Sequence, residues 1–92
     1  MLSDIPKKLA GLNPDQIDQE ICRAGLIAEL DAINLYEQMS ALAQDPKLKE
    51  MLKDIAKEEK THVGEFQALL LQKDEEQVGE LAHGKKEVEE ME

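Results

Sequence analysis

The sequence comprises 92 residues, enough for one small domain that buries roughly 60% of its unfolded surface. Twenty-one acidic residues outnumber eleven basic ones, and the formal net charge of −10 disfavours nucleic acids and anionic membranes as partners. No apolar run reaches the length of a membrane span or a signal-peptide core, and Cys22 is the only cysteine. We therefore expect a soluble, cytoplasmic protein without an intramolecular disulfide.

Two long helices are predicted from their starting signals. Asn13 is a capping residue, followed directly by a proline and, three positions after the cap, by a glutamine that can reach back to it. Asp45 is likewise followed by a proline, which ends one helix and can open the next. The expected helices cover about residues 14–44 and 46–72, and each is roughly 40 Å long at about 1.5 Å per residue.

A third, shorter helix is predicted after Asp74, because this capping residue is followed by two glutamates and a glutamine. We expect it to cover about residues 75–82, followed over residues 83–92 by an acidic tail in which the helix can resume after Gly84. His83 has no predicted helix-spaced partner there and is assigned to the surface. The chain as a whole, residues 1–92, is predicted to be one all-α domain: an antiparallel two-helix hairpin with a short C-terminal helix.

Each long helix carries a mostly apolar seam when it is read in alternating steps of four and three. The seam of the first helix is Cys22, Leu26, Glu29, Ile33, Tyr36, Ser40 and Ala43. The seam of the second helix is Leu48, Leu52, Ile55, Glu59, His62, Phe66 and Leu69. Both seams therefore place acid near their middle, where burial is costly unless the group is paired, hydrogen-bonded or bound to a metal.

The polar residues of these seams, Glu29, Glu59 and His62, form a candidate metal site. No Lys or Arg lies three or four residues from either glutamate, so an ion pair within one helix does not explain them. Taken singly, a glutamate with its head in water or a hydrogen-bonded core histidine is an adequate structural explanation. The combination favours a metal, because Glu-x-x-His puts two ligands on one face and Glu29 adds a carboxylate from another helix.

This ligand set is half of the one found in ferritin-like bundles, where two helices each supply a glutamate and two others each supply a Glu-x-x-His. A two-fold dimer doubles the set and places its members symmetrically. We therefore expect a homodimer that forms a four-helix bundle. Folding, association and metal binding should then be coupled.

The stretch over residues 21–79 resembles a known family. With AELDAINLYEQM on the first helix and EEKTHVGEFQALL on the second, it resembles the encapsulated ferritins, ferritin-like proteins held inside encapsulin nanocompartments. It is especially similar to the archaeal type in which such a domain precedes the shell protein in one polypeptide. The resemblance implies a ferroxidase whose catalytic iron ligands are Glu29, Glu59 and His62, with a di-iron centre across the dimer interface and with manganese or zinc as substitutes.

The resemblance also implies that Tyr36 lies beside the metal, with Asp31 as a further neighbour of the ligands. Asp31 departs from the bacterial pattern, as do Ala28 and Leu35, which argues against an additional iron site on the outer surface. Dimers are expected to assemble into a decameric ring within an encapsulin nanocompartment in the cytoplasm, where iron is stored. The segment GKKEVEEME lacks a tail resembling a cargo-targeting peptide, so a fused shell is favoured over a separate one.

Two other functions remain open at the level of sequence. A rubrerythrin-like peroxidase would use the same di-iron or di-manganese site, although the chain has no CxxC pair to form a rubredoxin-type electron donor. A metal-free helical interaction module would instead pair the acidic seam residues with a basic partner helix.

Overall fold

The structure, a computed structural model, describes residue 11 and residues 13–92, so residues 1–10 and 12 of the predicted domain lie outside it. This described part of the chain contains three α-helices: α1 (Pro14–Leu42), α2 (Pro46–Lys73) and α3 (Glu75–Glu89). Helices α1 and α2 pack against each other as an antiparallel hairpin, whereas α3 has only a small contact with α2. The predicted all-α hairpin with a third helix is confirmed.

Each helix begins at a side-chain cap. The Oδ1 atom of Asn13 accepts a hydrogen bond from the backbone N–H of Gln16 at 2.9 Å, and the Gln16 side chain accepts one from the Asn13 N–H at 3.2 Å. Asp45 accepts a hydrogen bond from the backbone N–H two residues on, and Asp74 from the one three residues on, both at 3.0 Å. These caps satisfy N–H groups that have no partner within the helix, so the helices begin where the sequence predicts.

The register of the hairpin is fixed by hydrogen bonds at its two ends. Next to the loop, the hydroxyl of Ser40, which is buried, donates to the backbone carbonyl of Lys49 at 3.0 Å. At the opposite end, the Gln19 side-chain amide donates to the carbonyl of Lys73 at 2.6 Å. Because both ends are tied, the middle of α1 lies opposite the middle of α2.

The hairpin has a small core. Among the described residues, no side chain is less than 2% exposed, and the buried apolar residues are Cys22, Ile33, Leu52, Ala56 and Leu70. By contrast, eleven large apolar residues of the described chain are between 42% and 77% exposed. Seven of them lie on α1 and α2, so the hairpin alone leaves much of its apolar surface in water. None of the described helices combines the length and the apolar character needed to cross a membrane.

The buried side of α2 differs from its predicted seam. Leu70 and Ala56 are buried, although the seam omitted both, whereas Leu48 and Leu69 are 42% and 49% exposed. The seam was read in steps that average 3.5 residues, but a straight helix has 3.6 residues per turn and drifts by about 20° per heptad. By the end of α2 this drift has turned Leu69 away from α1, and Leu70 is buried in its place.

The drift leaves a row of α2 residues, spaced seven apart, along the edge of the interface with α1. We call it the open row: Leu48, Ile55, His62 and Leu69. Three of its members have side chains more than 40% exposed, and Ile55 is half-buried. The open row therefore offers an apolar surface with a histidine in its middle.

Helix α3 is longer than predicted, since it runs through Gly84 to Glu89 and its expected end before His83 is wrong. His83 also has the helix-spaced partners that the sequence reading denied it. Its Nδ1 atom lies 3.4 Å from Oε2 of Glu80, and its Nε2 atom lies 2.9 Å from Oε1 of Glu87. Pairs at these spacings stabilise exposed helices and offset the low helix propensity of the glycine.

Asp74 connects all three helices. One carboxylate oxygen caps α3, and the other accepts a hydrogen bond from the Arg23 guanidinium of α1 at 2.8 Å. The backbone N–H of Gln77 and, next, the Arg23 guanidinium lower the pKa of the Asp74 carboxyl below its ordinary value.

We expect Asp74→Asn to make stability less dependent on acid. Asparagine still caps a helix but removes the negative charge next to Arg23. Because the pKa of Asp74 is lower in the folded state, its contribution to stability is present above the ordinary pKa of 3.8 and is lost as pH falls through the folded-state value. Urea unfolding should therefore show a less stable variant at pH 7 and a smaller deficit well below pH 3.8. Asp54→Asn, at an exposed position, is the control, and an equal deficit at both pH values would contradict the expectation.

Candidate metal centre

The structure brings the three predicted ligands together in the middle of the hairpin. Glu29 lies on α1, and Glu59 and His62 lie one turn apart on α2. The Nδ1 atom of His62 is 3.2 Å from Oε2 of Glu59 and 3.4 Å from Oε2 of Glu29. All three ligand atoms lie within 4.8 Å of one another, and no other such group of His, Cys, Asp or Glu occurs in the described part of the chain.

These separations suit a metal ion. Histidine nitrogen and carboxylate oxygen bind such ions at about 2.0–2.2 Å, so two ligands at a tetrahedral or right angle lie roughly 3.0–3.5 Å apart. The two distances from His62 Nδ1 fall in that range. The donor set of one imidazole and two carboxylates suits iron, manganese or zinc.

One oxygen of the Glu29 carboxylate has no hydrogen-bond partner among the described residues. This atom, Oε2, is buried, and the nearby His62 nitrogen, although 3.4 Å away, makes no hydrogen bond to it. A buried acceptor without a partner costs about 1–3 kcal/mol, more when it is charged. A cation between the three side chains would satisfy this oxygen, so the orphaned atom fits a metal ligand.

The centre is open on one side. The Glu29 and Glu59 side chains are 20% and 18% exposed, whereas the His62 side chain is 45% exposed. Three protein donors are also fewer than the six oxygen or nitrogen ligands of an octahedral site. One chain therefore supplies part of a coordination sphere, and the rest has to come from the open side.

Tyr36 and Asp31 are not drawn into this cluster by any hydrogen bond. Tyr36 is half-buried on α1, and its hydroxyl makes no hydrogen bond to a described residue. Asp31 is exposed on the same helix, as are Ala28 and Leu35. That Tyr36 and Asp31 lie beside a metal therefore stays a prediction.

The other acids near the centre are solvated. Glu58 and Glu65 are exposed on α2. Glu37 lies 3.9 Å from the Lys60 ammonium, and both side chains are more than half exposed. Because these carboxylates face water, they do not compete with the three clustered side chains for one ion.

A close contact next to the centre was not predicted. Gly25, the one glycine of α1, lies against the ring of Phe66 on α2, and a Cβ atom built on it would be 2.6 Å from the ring. A glycine inside a long helix was the available signal, since such a residue usually has a packing reason.

Comparison with protein families gives one match that covers most of the chain. The model of the EncFtn-like family matches residues 5–83.

Two relatives, both from Pyrococcus furiosus, are similar to the chain. A curated ferritin-like-encapsulin shell fusion protein is 58% identical over 72 residues, which are 78% of this chain and 21% of the relative. The chain thus spans about a fifth of the length of that relative. The crystal structure of an encapsulated ferritin domain has a TM-score of 0.83 and 50% sequence identity, and the match covers 94% of this chain and 90% of that one.

We expect Glu29→Leu to stabilise the metal-free protein. Leucine removes a buried acceptor that has no partner and adds apolar surface to the seam, which should raise the free energy of unfolding by about 1 kcal/mol. Urea unfolding in the presence of a chelator measures the change. Glu65→Leu, at an exposed position of α2, should change it by less than about 0.5 kcal/mol. Destabilisation by Glu29→Leu would instead reveal a structural partner of the carboxylate.

Proposed function

The chain belongs to the EncFtn-like family, and from this membership together with its clustered ligands we propose that it is a ferroxidase. It would oxidise Fe(II) to Fe(III) at a di-iron site formed between two copies of the chain and supply iron for storage in an encapsulin nanocompartment. The observation that carries the proposal is the buried, unpartnered oxygen of Glu29 beside Glu59 and His62.

In this proposal Glu29, Glu59 and His62 bind the substrate iron. Two Fe(II) ions lose one electron each, and dioxygen takes up these two electrons with two protons to give hydrogen peroxide. Two copies of the chain supply four carboxylates, whose summed charge of about −4 balances two Fe(II) ions. The imidazole adds a neutral donor from each copy, so charge and ligand type both suit a pair of irons.

The second copy is proposed because the open side of the centre and the open row are one surface. His62 belongs to both, with Leu69 one heptad further along α2. Covering this row would bury apolar surface that the hairpin leaves in water and would bring a second set of ligands to the first. Tyr36 would then lie near the ligands of the partner, and dimers would assemble further into the decameric ring that the resemblance implies.

The shell is proposed from the curated relative. That protein is named as a fusion of a ferritin-like part with an encapsulin shell, and this chain matches a fifth of it. We infer that the chain works with an encapsulin shell in the cytoplasm, fused to it or held inside it. A shell would provide the volume for mineral that a small ring of hairpins lacks.

Dimerisation predicts that stability depends on concentration. Since only the associated state covers the open row, the apparent melting temperature should rise with protein concentration and rise further when Zn(II) is added. Leu69→Glu places a charge in this row and should give a monomer by sedimentation at concentrations where the unmodified chain is dimeric or larger. Leu42→Glu, at a 77% exposed position at the end of α1, is the matched control. An unmodified chain that is monomeric with metal would contradict the proposed dimer.

Ferroxidase activity is tested by adding Fe(II) in air and following the absorbance of Fe(III). Glu59→Gln and His62→Ala each remove a ligand, so the initial rate should fall by about 100-fold or more, because even residues behind the ligands are worth 10–100-fold in such sites. Glu58→Gln and Glu65→Gln remove exposed acids of the same helix and should leave the rate unchanged.

Equal rates in the two ligand variants and the unmodified chain would refute the site. Faster oxidation by hydrogen peroxide than by dioxygen would favour the rubrerythrin-like alternative.

A further inference from the structure

We propose that Gly25 and Phe66 are positioning residues of the metal centre. Through their contact they set the distance between α1 and α2 at the layer of side chains next to Glu29 and His62. This inference rests on the metal site proposed above and concerns how the fold holds its ligands at the right separation.

The contact is closer than any other residue would allow. A Cβ atom on Gly25 would lie 2.6 Å from Cε1, 2.7 Å from Cδ1 and 2.7 Å from Cζ of Phe66. Carbon atoms that are not bonded pack at about 3.5–4.0 Å, so a methyl group would have to displace the ring by about 1 Å. The ring therefore occupies space that exists only because residue 25 has no side chain.

The ring cannot yield by turning about its own axis. The Cζ atom lies on the axis of that rotation and keeps its place, 2.7 Å from the added methyl group. Relief then requires a change of χ1, for which a helix allows few alternatives, or a movement of α1 away from α2. Either change alters the layer in which the two helices touch.

That layer lies one turn from the ligands on both helices. Gly25 precedes Glu29 by four residues, and Phe66 follows His62 by four residues, so each pair shares one face of its helix. Because the helices are antiparallel, Gly25 lies on the same side of Glu29 along the hairpin as Phe66 does of His62. A displacement of about 1 Å at this layer is large against the roughly 0.2 Å within which metal–ligand distances are held.

The test compares alanine at two glycines. Metal-free protein is titrated with Co(II) without oxygen, and the visible absorption of the bound ion gives the dissociation constant. Gly25→Ala should weaken binding by about tenfold or more, the range seen when supporting residues of metal sites are changed. Gly64→Ala is the matched control, because Gly64 lies on α2 between His62 and Phe66 and a Cβ there meets nothing within 4 Å. Sedimentation confirms that the variants are compared in the same oligomeric state.

A double-mutant cycle identifies the ring as the cause. Phe66→Leu removes the ring, so adding Gly25→Ala to it should have no further effect on the dissociation constant. Unchanged Co(II) binding by Gly25→Ala, or an equal loss in the Phe66→Leu background, would overturn the proposal. If Gly25→Ala does not fold, Phe66→Leu decides alone: binding a few times weaker supports the proposal, and binding like that of the unmodified chain overturns it.

These outcomes are separate from failure of the metal site itself. In that case the unmodified chain and Glu59→Gln would bind Co(II) equally weakly, whatever residue 25 is. The effect of Gly25→Ala on Co(II) binding is therefore interpreted only if the unmodified chain binds Co(II) and Glu59→Gln does not.

Discussion

The hairpin is organised around one unfavourable feature, a carboxylate oxygen of Glu29 that is buried without a hydrogen-bond partner. The cost of about 1–3 kcal/mol is large for a protein whose whole stability is of the order of 5–15 kcal/mol. An apolar side chain at position 29 would remove that cost. Packing between the two helices therefore does not explain why this position holds a glutamate. The proposed cation would explain it, because Glu59 and His62 lie within the same small volume and would bind the same ion.

The hairpin by itself brings the three candidate metal ligands together. A slip of α1 by one residue would move Glu29 by about 1.5 Å along the helix and turn it by about 100° away from α2. The bonds from Ser40 to Lys49 and from Gln19 to Lys73 would both be broken by such a slip, and neither involves one of the three candidate ligands. Because the register is set at the two ends of the hairpin, metal binding need not cover the full entropic cost of forming it.

Local signals in the sequence predicted the start of every helix, because a cap such as Asn13 or Asp74 acts within one turn of itself. The clustered ligands were also foreseeable, since spacing puts Glu59 and His62 on one face and the seam brings Glu29 opposite. The end of α3 was not foreseeable, because the side-chain pairs of His83 with Glu80 and Glu87 outweigh the low helix propensity of Gly84. Nor was the place of the Phe66 ring, which depends on tertiary packing that spacing along one helix does not specify.

One binding partner would both cover the exposed apolar surface and complete the coordination sphere in the proposed site. An unrelated protein could cover Leu48, Ile55 and Leu69 of the open row, but it would add ligands beside His62 only by coincidence. A second copy of the chain, placed by a two-fold axis near His62, adds the same two carboxylates and imidazole by symmetry. The small core fits the arrangement proposed above, in which the hairpin is half of a larger bundle. A self-sufficient hairpin core would require apolar residues at the positions that now hold the ligands.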